Sequence, residues 1–163
     1  MVFGGIGYLV YYYIYSPAGK TVARPVSTVR RAVPGVRVAK TKPKILIIDD
    51  EGELIEMLKA RLEPVGYDVE FSLNGPEGIE KALTIKPDAI LLDINMPEMD
   101  GWEVCKLLRE NPDTANTNII LITASRRLKQ ARDYGANYVI LKPFNFEELT
   151  DALKKITRES KNE

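Results

Sequence analysis

Between Lys44 and the C-terminus, continuous apolar runs alternate with segments whose apolar residues recur every three to four positions. The runs KILII (44–48) and NIILIT (118–123) each contain four consecutive apolar residues, which is typical of strands that are buried on both faces. Other segments place apolar residues at helical spacing. The predicted strands cover 44–48, 67–72, 88–93, 118–123 and 137–142. The predicted helices cover 53–62, 74–83, 102–110, 126–134 and 146–157.

Strands and helices therefore alternate five times, with short connections. This order predicts an α/β fold, a doubly wound five-stranded parallel sheet with helices on both faces. Such sheets bind ligands at the carboxyl ends of their strands. Asn74 and Asp100 are predicted to begin the second and third helices. On the third helix, Cys105 is expected in the core and Trp102 partly exposed.

The first 43 residues differ in composition from the rest. Segment 1–19 is apolar, rich in tyrosine and free of charged side chains, and 20–43 reads as a basic, proline-containing linker. Residues 2–15 are long enough for a short membrane anchor, which would tether a cytoplasmic domain to the inner face of the membrane. A mis-assigned start codon or a disordered tail explains the same composition. Residues 44–163 form the predicted globular domain.

The net charge of zero conceals a strong asymmetry. Residues 1–44 contain eight basic and no acidic side chains, so residues 45–163 carry 23 − 8 = 15 basic against 23 acidic ones. The chain has one cysteine and no histidine. Intrachain disulfides, histidine-based metal sites and a histidine general base are thereby excluded.

Chemically useful side chains follow four of the five predicted strands. Asp49 and Asp50 end the first strand, Asp93 the third, Thr123 the fourth and Lys142 the fifth. Because the carboxyl ends of parallel strands share one edge of the sheet, these side chains are expected to converge. A buried carboxylate such as Asp93 is costly without a partner, so either Asp93 caps a neighbouring segment or it is held there for chemistry.

The motifs IIDDE, LLDINMPEMDG, LITAS and LKPF occur in this order and resemble the receiver domain of two-component response regulators, of the single-domain chemotaxis type. The resemblance covers residues 44–163 and implies a flavodoxin-like fold. It implies that Asp93 is the phosphoacceptor. It further implies a Mg²⁺ ion held by Asp50, Asp93 and the backbone carbonyl of Asn95, with Asp49 binding a water on the metal.

The resemblance assigns roles to two further residues. Lys142 would supply positive charge to the phosphoryl oxygens, and Thr123 would donate its hydroxyl to them. The bond between Lys142 and Pro143 is expected to be cis. Simpler roles remain open for single residues, since Asp50 alone could cap the first helix and Asp93 could cap a loop.

The same resemblance implies the partners. The phosphoryl donor would be a sensor histidine kinase or a histidine phosphotransfer protein, and the output would pass to a downstream protein target. We predict no nucleic-acid-binding domain, and no enzymatic activity beyond self-phosphorylation and self-dephosphorylation.

Two departures from the family favour an alternative, a receiver-fold interaction module that works without phosphorylation. Thr123 and Lys142 are only 19 positions apart, which predicts a shortened fourth helix region. Val139 stands where the family usually has a switching aromatic residue, and Tyr138 precedes it on the opposite face of the strand. A phosphatase with an Asp-x-Asp nucleophile motif is disfavoured because Asn95 occupies the second position.

Overall fold

Five parallel strands form the sheet in a computed structural model that describes residues 42–124 and 128–159. The strands are β1 (Lys44–Ile48), β2 (Asp68–Ser72), β3 (Ala89–Asp93), β4 (Asn118–Thr123) and β5 (Tyr138–Leu141). The helices are α1 (Gly52–Leu62), α2 (Gly75–Ile85), α3 (Gly101–Glu110), α4 (Leu128–Asp133) and α5 (Phe146–Glu159). The predicted succession of elements is confirmed.

The spatial order of the strands is β2-β1-β3-β4-β5. The chain winds in one direction from β1 to β2 and in the other from β3 to β5, so the winding reverses between β1 and β3. These two strands pair directly, with Ile45 opposite Ala89 and Ile48 opposite Leu92. Open α/β sheets have their ligand crevice at such a reversal, outside the carboxyl ends of the strands.

Each face of the sheet has its own hydrophobic core. On one face Ile45, Ile47 and Leu91 pack against α1 and α5, which contribute Leu58 and Leu153. On the other face the core joins alternate strand residues to α2, α3 and α4. Every strand residue between Ile45 and Ile48 is buried, which explains why that run is apolar without alternation. The doubly wound prediction is therefore confirmed.

Side-chain caps begin two of the helices as predicted. The Glu77 backbone N–H donates to Asn74 Oδ1 at 2.9 Å at the start of α2. The Glu103 backbone N–H donates to Asp100 Oδ1, also at 2.9 Å, at the start of α3. Both caps satisfy backbone donors that a helix leaves unpaired in its first turn.

Two of the three predictions for helices α3 and α4 are confirmed, and one is wrong. Cys105 is fully buried, as expected, and burial raises the pKa of its thiol, so this cysteine is an inert core residue. Trp102 was expected to be partly exposed, but this is wrong: it is only 8% exposed and lies against Tyr134, with ring centroids 5.3 Å apart. Helix α4 has six residues, which agrees with the predicted shortening of this region.

The predictions for segment 1–19 and for most of 20–43 concern residues outside the described ranges. Within residues 42–124 and 128–159, no helix combines the length and apolarity needed to cross a membrane.

Gly101 is required by the close return of the loop after β3. Its N–H donates to the Ile94 carbonyl at 2.9 Å, and a Cβ here would collide with the Asp93 carbonyl oxygen and lie 2.7 Å from the Ile94 Cα. We expect Gly101→Ala to lower the free energy of unfolding by about 2 kcal/mol, measured by urea denaturation. Gly52→Ala is the matched control, because no described heavy atom lies within 4 Å of its added Cβ. Equal stabilities of the two variants would contradict this account.

Candidate functional site

Three carboxylates meet at the carboxyl ends of β1 and β3. Asp93 is the last residue of β3, and Asp49 and Asp50 directly follow β1 on the neighbouring strand. One carboxylate oxygen from each residue lies within 4.8 Å of those of the other two. Asp49 and Asp93 are buried, whereas Asp50 is exposed. The sheet thus brings together the three acids that the sequence placed on one edge.

One carboxylate oxygen of Asp93 accepts no hydrogen bond from the described residues. Its Oδ2 accepts a hydrogen bond of 2.8 Å from the Asn95 backbone N–H. Its Oδ1 is buried, and among the described residues no donor makes a hydrogen bond to it. The Lys142 ammonium lies 3.2 Å from Oδ1 as an ion-pair partner, without hydrogen-bond geometry. A buried carboxylate oxygen left in this state indicates a site for a further cation or electrophile.

Lys142 reaches the acids from the end of β5. Its ammonium lies 3.2 Å from Asp49 Oδ2 and 2.7 Å from Glu51 Oε1, besides the contact with Asp93. Burial alone would lower the pKa of Lys142, but the hydrogen bond that Lys142 donates to Glu51 and the charges of Asp49 and Asp93 outweigh burial and raise it. Lys142 is therefore a fixed positive charge. The bond to Pro143 is cis, as predicted.

Asp49 is held from two sides. Its Oδ1 accepts a 2.8 Å hydrogen bond from the Glu51 backbone N–H, and its Oδ2 faces Lys142. Burial raises the pKa of Asp49, although the Glu51 N–H and Lys142 act in the opposite direction. Two buried acids thus compete for one ammonium.

Thr123 and Asn95 lie where the sequence placed them. Thr123 ends β4 and is 1% exposed, and its carbonyl accepts the Lys142 backbone N–H at 2.8 Å. Asn95 is exposed, two residues beyond Asp93. The contact that the structure gives it with Asp93 is through its N–H, whereas the family resemblance assigns its carbonyl to the metal.

Glu51 was missed as a member of the site. The sequence shows it only as a third acid after the Asp pair, and nothing in its spacing predicts a partner 91 residues away. In the structure it makes the shortest of the three contacts to Lys142.

The donor set fits a hard divalent cation. Three carboxylates at one point carry a charge that Lys142 alone does not balance, and oxygen ligands are those that Mg²⁺ prefers. Asp93 Oδ1, which accepts no hydrogen bond from the described residues, provides the acceptor that such an ion needs. A buried aspartate beside an acidic cluster and a lysine, at the crevice of a doubly wound sheet, is the arrangement expected of phosphoryl-accepting aspartate domains.

The chain belongs to the response regulator receiver domain family, whose model matches residues 45–154. It is 40% identical over 118 residues to the response regulator ArlR of Staphylococcus saprophyticus, covering 71% of this chain and 52% of that protein. It is 35% identical over 119 residues to the DNA-binding dual master transcriptional regulator RpaA of Synechocystis, covering 71% and 49%. The chain thus spans about half the length of these curated relatives.

A solved structure supports the fold. The response regulator TrrA of Thermotoga maritima, solved in complex with Mg²⁺-BeF, superimposes with a TM-score of 0.64 at 34% identity. The match covers 70% of this chain and 98% of that one. The fold is the flavodoxin-like receiver fold, and the domain is a phosphoaccepting receiver of two-component signal transduction.

One prediction about partners needs correction. The sequence analysis predicted no nucleic-acid-binding domain, but the relative RpaA is named as a DNA-binding regulator. Its similarity to this chain covers the receiver part alone, about half of its length. The motifs at the sheet edge determine phosphoryl chemistry and do not restrict what a receiver controls, so the exclusion of nucleic acid did not follow from them.

Proposed function

We propose that Asp93 accepts a phosphoryl group from a phosphohistidine on a partner histidine kinase. The observation that carries this proposal is the buried Asp93 Oδ1, which lies 3.2 Å from the Lys142 ammonium without a hydrogen bond from the described residues. This carboxylate is shielded from bulk water and desolvated on one oxygen, and it lies beside a cation. Those conditions favour attack by the carboxylate on phosphorus.

The transfer breaks one bond and forms one bond. An Asp93 carboxylate oxygen bonds to phosphorus as the phosphorus–nitrogen bond of phosphohistidine breaks, and the imidazole leaves with the electron pair. With acetyl phosphate as donor, the phosphorus–oxygen bond breaks and acetate leaves instead. The product in either case is an acyl phosphate on Asp93. Positioning and charge neutralisation provide most of the catalysis in such transfers.

Mg²⁺ fits the acid cluster. Asp50, Asp93 and the Asn95 carbonyl would hold it, with Asp49 contacting a water bound to the ion. When bound, the ion supplies positive charge against the anionic phosphoryl oxygens. The Mg²⁺-BeF complex of TrrA, together with the three carboxylates within 4.8 Å of one another, supports this assignment.

Lys142 and Thr123 are assigned to the phosphoryl group itself. The Lys142 ammonium is already 3.2 Å from the acceptor oxygen, so it can pair with a phosphoryl oxygen there. Thr123 lies at the end of the strand next to β3 and would donate its hydroxyl once the group is attached. The chemistry of the domain is then confined to phosphorylation and hydrolysis at Asp93.

A second function, a module that binds its partner without phosphorylation, is favoured by the start of β5. Val139 packs partly buried against the core of the α2–α3–α4 face, while Tyr138 is 38% exposed. An aromatic side chain that moves inward on phosphorylation is the family's usual read-out, and Val139 offers none. Partner binding that is unchanged by Asp93→Asn would identify this function.

The phosphoacceptor is tested with the full chain, Mg²⁺ and acetyl phosphate. We expect the intact mass to increase by one phosphoryl group, and we expect no increase after addition of EDTA or in Asp93→Asn. Asp88→Asn is the control, because Asp88 precedes the same strand at its other end and bonds the Lys44 N–H. An equal adduct in Asp93→Asn, or none in the wild-type protein despite Mg²⁺ binding, would contradict the proposal.

A further inference from the structure

Glu51 stands at a capping position but does not cap its helix. It precedes Gly52, the first residue of α1, and its carbonyl accepts the Ile55 N–H at 3.1 Å. Within residues 42–124, its side chain makes no capping hydrogen bond, in contrast to Asn74 and Asp100 at the same position of α2 and α3. The carboxylate is directed instead to Lys142, at 2.7 Å.

Three carboxylates surround the Lys142 ammonium. It donates hydrogen bonds to Glu51 Oε1 at 2.7 Å and to Asp49 Oδ2 at 3.2 Å, and it lies 3.2 Å from Asp93 Oδ1 as an ion-pair partner. A phosphoryl oxygen that arrives at Asp93 therefore competes with these carboxylates for the ammonium. Until it displaces one of them, the positive charge assigned to the phosphoryl group is shared with Glu51.

Glu51 is the carboxylate best able to leave. Its side chain is 61% exposed, whereas those of Asp49 and Asp93 are 3% exposed. Asp49 and Asp93 also accept backbone N–H bonds that fix their orientation. Glu51 can rotate into water at low cost, because an exposed ion pair contributes little free energy.

We propose that Glu51 holds Lys142 in the unphosphorylated receiver and competes with the incoming phosphoryl group for its ammonium. Glu51 is thus a positioning residue that slows phosphoryl acceptance by Asp93. This inference rests on the proposed function, since it assumes that Asp93 is the acceptor. The device keeps the lysine ordered beside the buried acids while no phosphoryl group is present.

Charge gives this competition a measurable signature. The Glu51 carboxylate lies at the solvent side of the site, where an anionic donor has to approach. The repulsion between the Glu51 carboxylate and the donor should be greater for the more highly charged acetyl phosphate than for phosphoramidate. Added salt should reduce this repulsion.

The test compares phosphorylation rates of the full chain with both donors. Glu51→Gln keeps a hydrogen-bond acceptor and loses the charge, and Glu51→Ala loses both. We expect both variants to react about three- to tenfold faster than wild type with acetyl phosphate, with a smaller gain with phosphoramidate. Glu53→Gln, which removes another acid from the first turn of α1, should react at the wild-type rate. Rates for Glu51→Gln at or below wild type would overturn the proposal.

Two further measurements distinguish this proposal from the function on which it rests. In metal-free protein, the NMR signal of the Lys142 ammonium should shift and broaden in Glu51→Ala and remain unchanged in Glu53→Gln. An unchanged signal in Glu51→Ala overturns the proposal even if no variant is phosphorylated. Mg²⁺ affinity measured by calorimetry should change by less than about threefold in Glu51→Gln, since a rim charge acts weakly. A loss of tenfold or more would make Glu51 a metal ligand and overturn the proposal.

Discussion

The Lys142→Met variant is expected to accept phosphoryl groups about 100-fold more slowly than the wild-type protein, because it lacks a preorganised charge at the phosphoryl oxygens. Its stability should also become dependent on Mg²⁺. Without Lys142, the buried carboxylates of Asp49 and Asp93 have lost their 3.2 Å ion-pair partner. We expect the metal-free variant to lose about 3 kcal/mol of unfolding free energy.

Mg²⁺ should restore much of that loss. A cation that binds only the folded state stabilises it by an amount that grows with the logarithm of its affinity, and the affinity rises when a competing ammonium is removed. Urea denaturation with and without Mg²⁺ measures the effect. Lys86→Met is the matched control, because Lys86 pairs with Asp113 at 3.3 Å with both side chains 66% exposed, and its loss should cost under about 0.5 kcal/mol. A Lys142→Met protein that is phosphorylated at the wild-type rate would contradict the role given to this lysine.

Arg109→Met is expected to lower the free energy of unfolding by about 3 kcal/mol, the largest stability effect outside the site. Arg109 on α3 donates to the carbonyls of Gly135, Ala115 and Thr117 at 2.9, 3.0 and 2.7 Å. It also donates to Asn137 Oδ1 at 2.9 Å. These bonds join the loop before β4 to the loop before β5, and Met would remove them from the three carbonyls, while Asn137 Oδ1 would keep the Ile119 N–H at 2.8 Å.

Two variants make the Arg109 measurement specific. Arg109→Lys should recover only part of the stability, since a single ammonium cannot reach the same set of acceptors as the planar guanidinium. Lys106→Met lies on the same helix and breaks an exposed pair with Glu110 at 3.8 Å, so it should change stability by under about 0.5 kcal/mol. Equal effects of Arg109→Met and Lys106→Met would show that the carbonyl contacts contribute no stability.

Features that depend on local pattern could be predicted from the sequence. The apolar run of β1 follows from burial on both faces, and the caps at Asn74 and Asp100 follow from short polar side chains before helices. The convergence of Asp49, Asp93 and Lys142 was also predictable, because parallel strands place their carboxyl ends on one edge.

Features that depend on distant partners could not be predicted. Glu51 resembles any acid at a helix start, and its contact with Lys142 spans 91 positions. Arg109 reads as a solvated residue on an amphipathic helix, since its acceptors lie in two loops of irregular backbone. Trp102 follows the helix cap, and its burial depends on the core of the α2–α3–α4 face, where Tyr134 from beyond α4 lies against it.

The central claim, that Asp93 is the phosphoacceptor, is tested most directly by locating the acyl phosphate. The full chain is phosphorylated with Mg²⁺ and acetyl phosphate, reduced with borodeuteride, digested and sequenced by tandem mass spectrometry. Reduction converts a phosphorylated aspartate into deuterium-labelled homoserine. We predict the label at position 93 alone. Label at Asp49 or Asp50 in place of Asp93 would contradict the account.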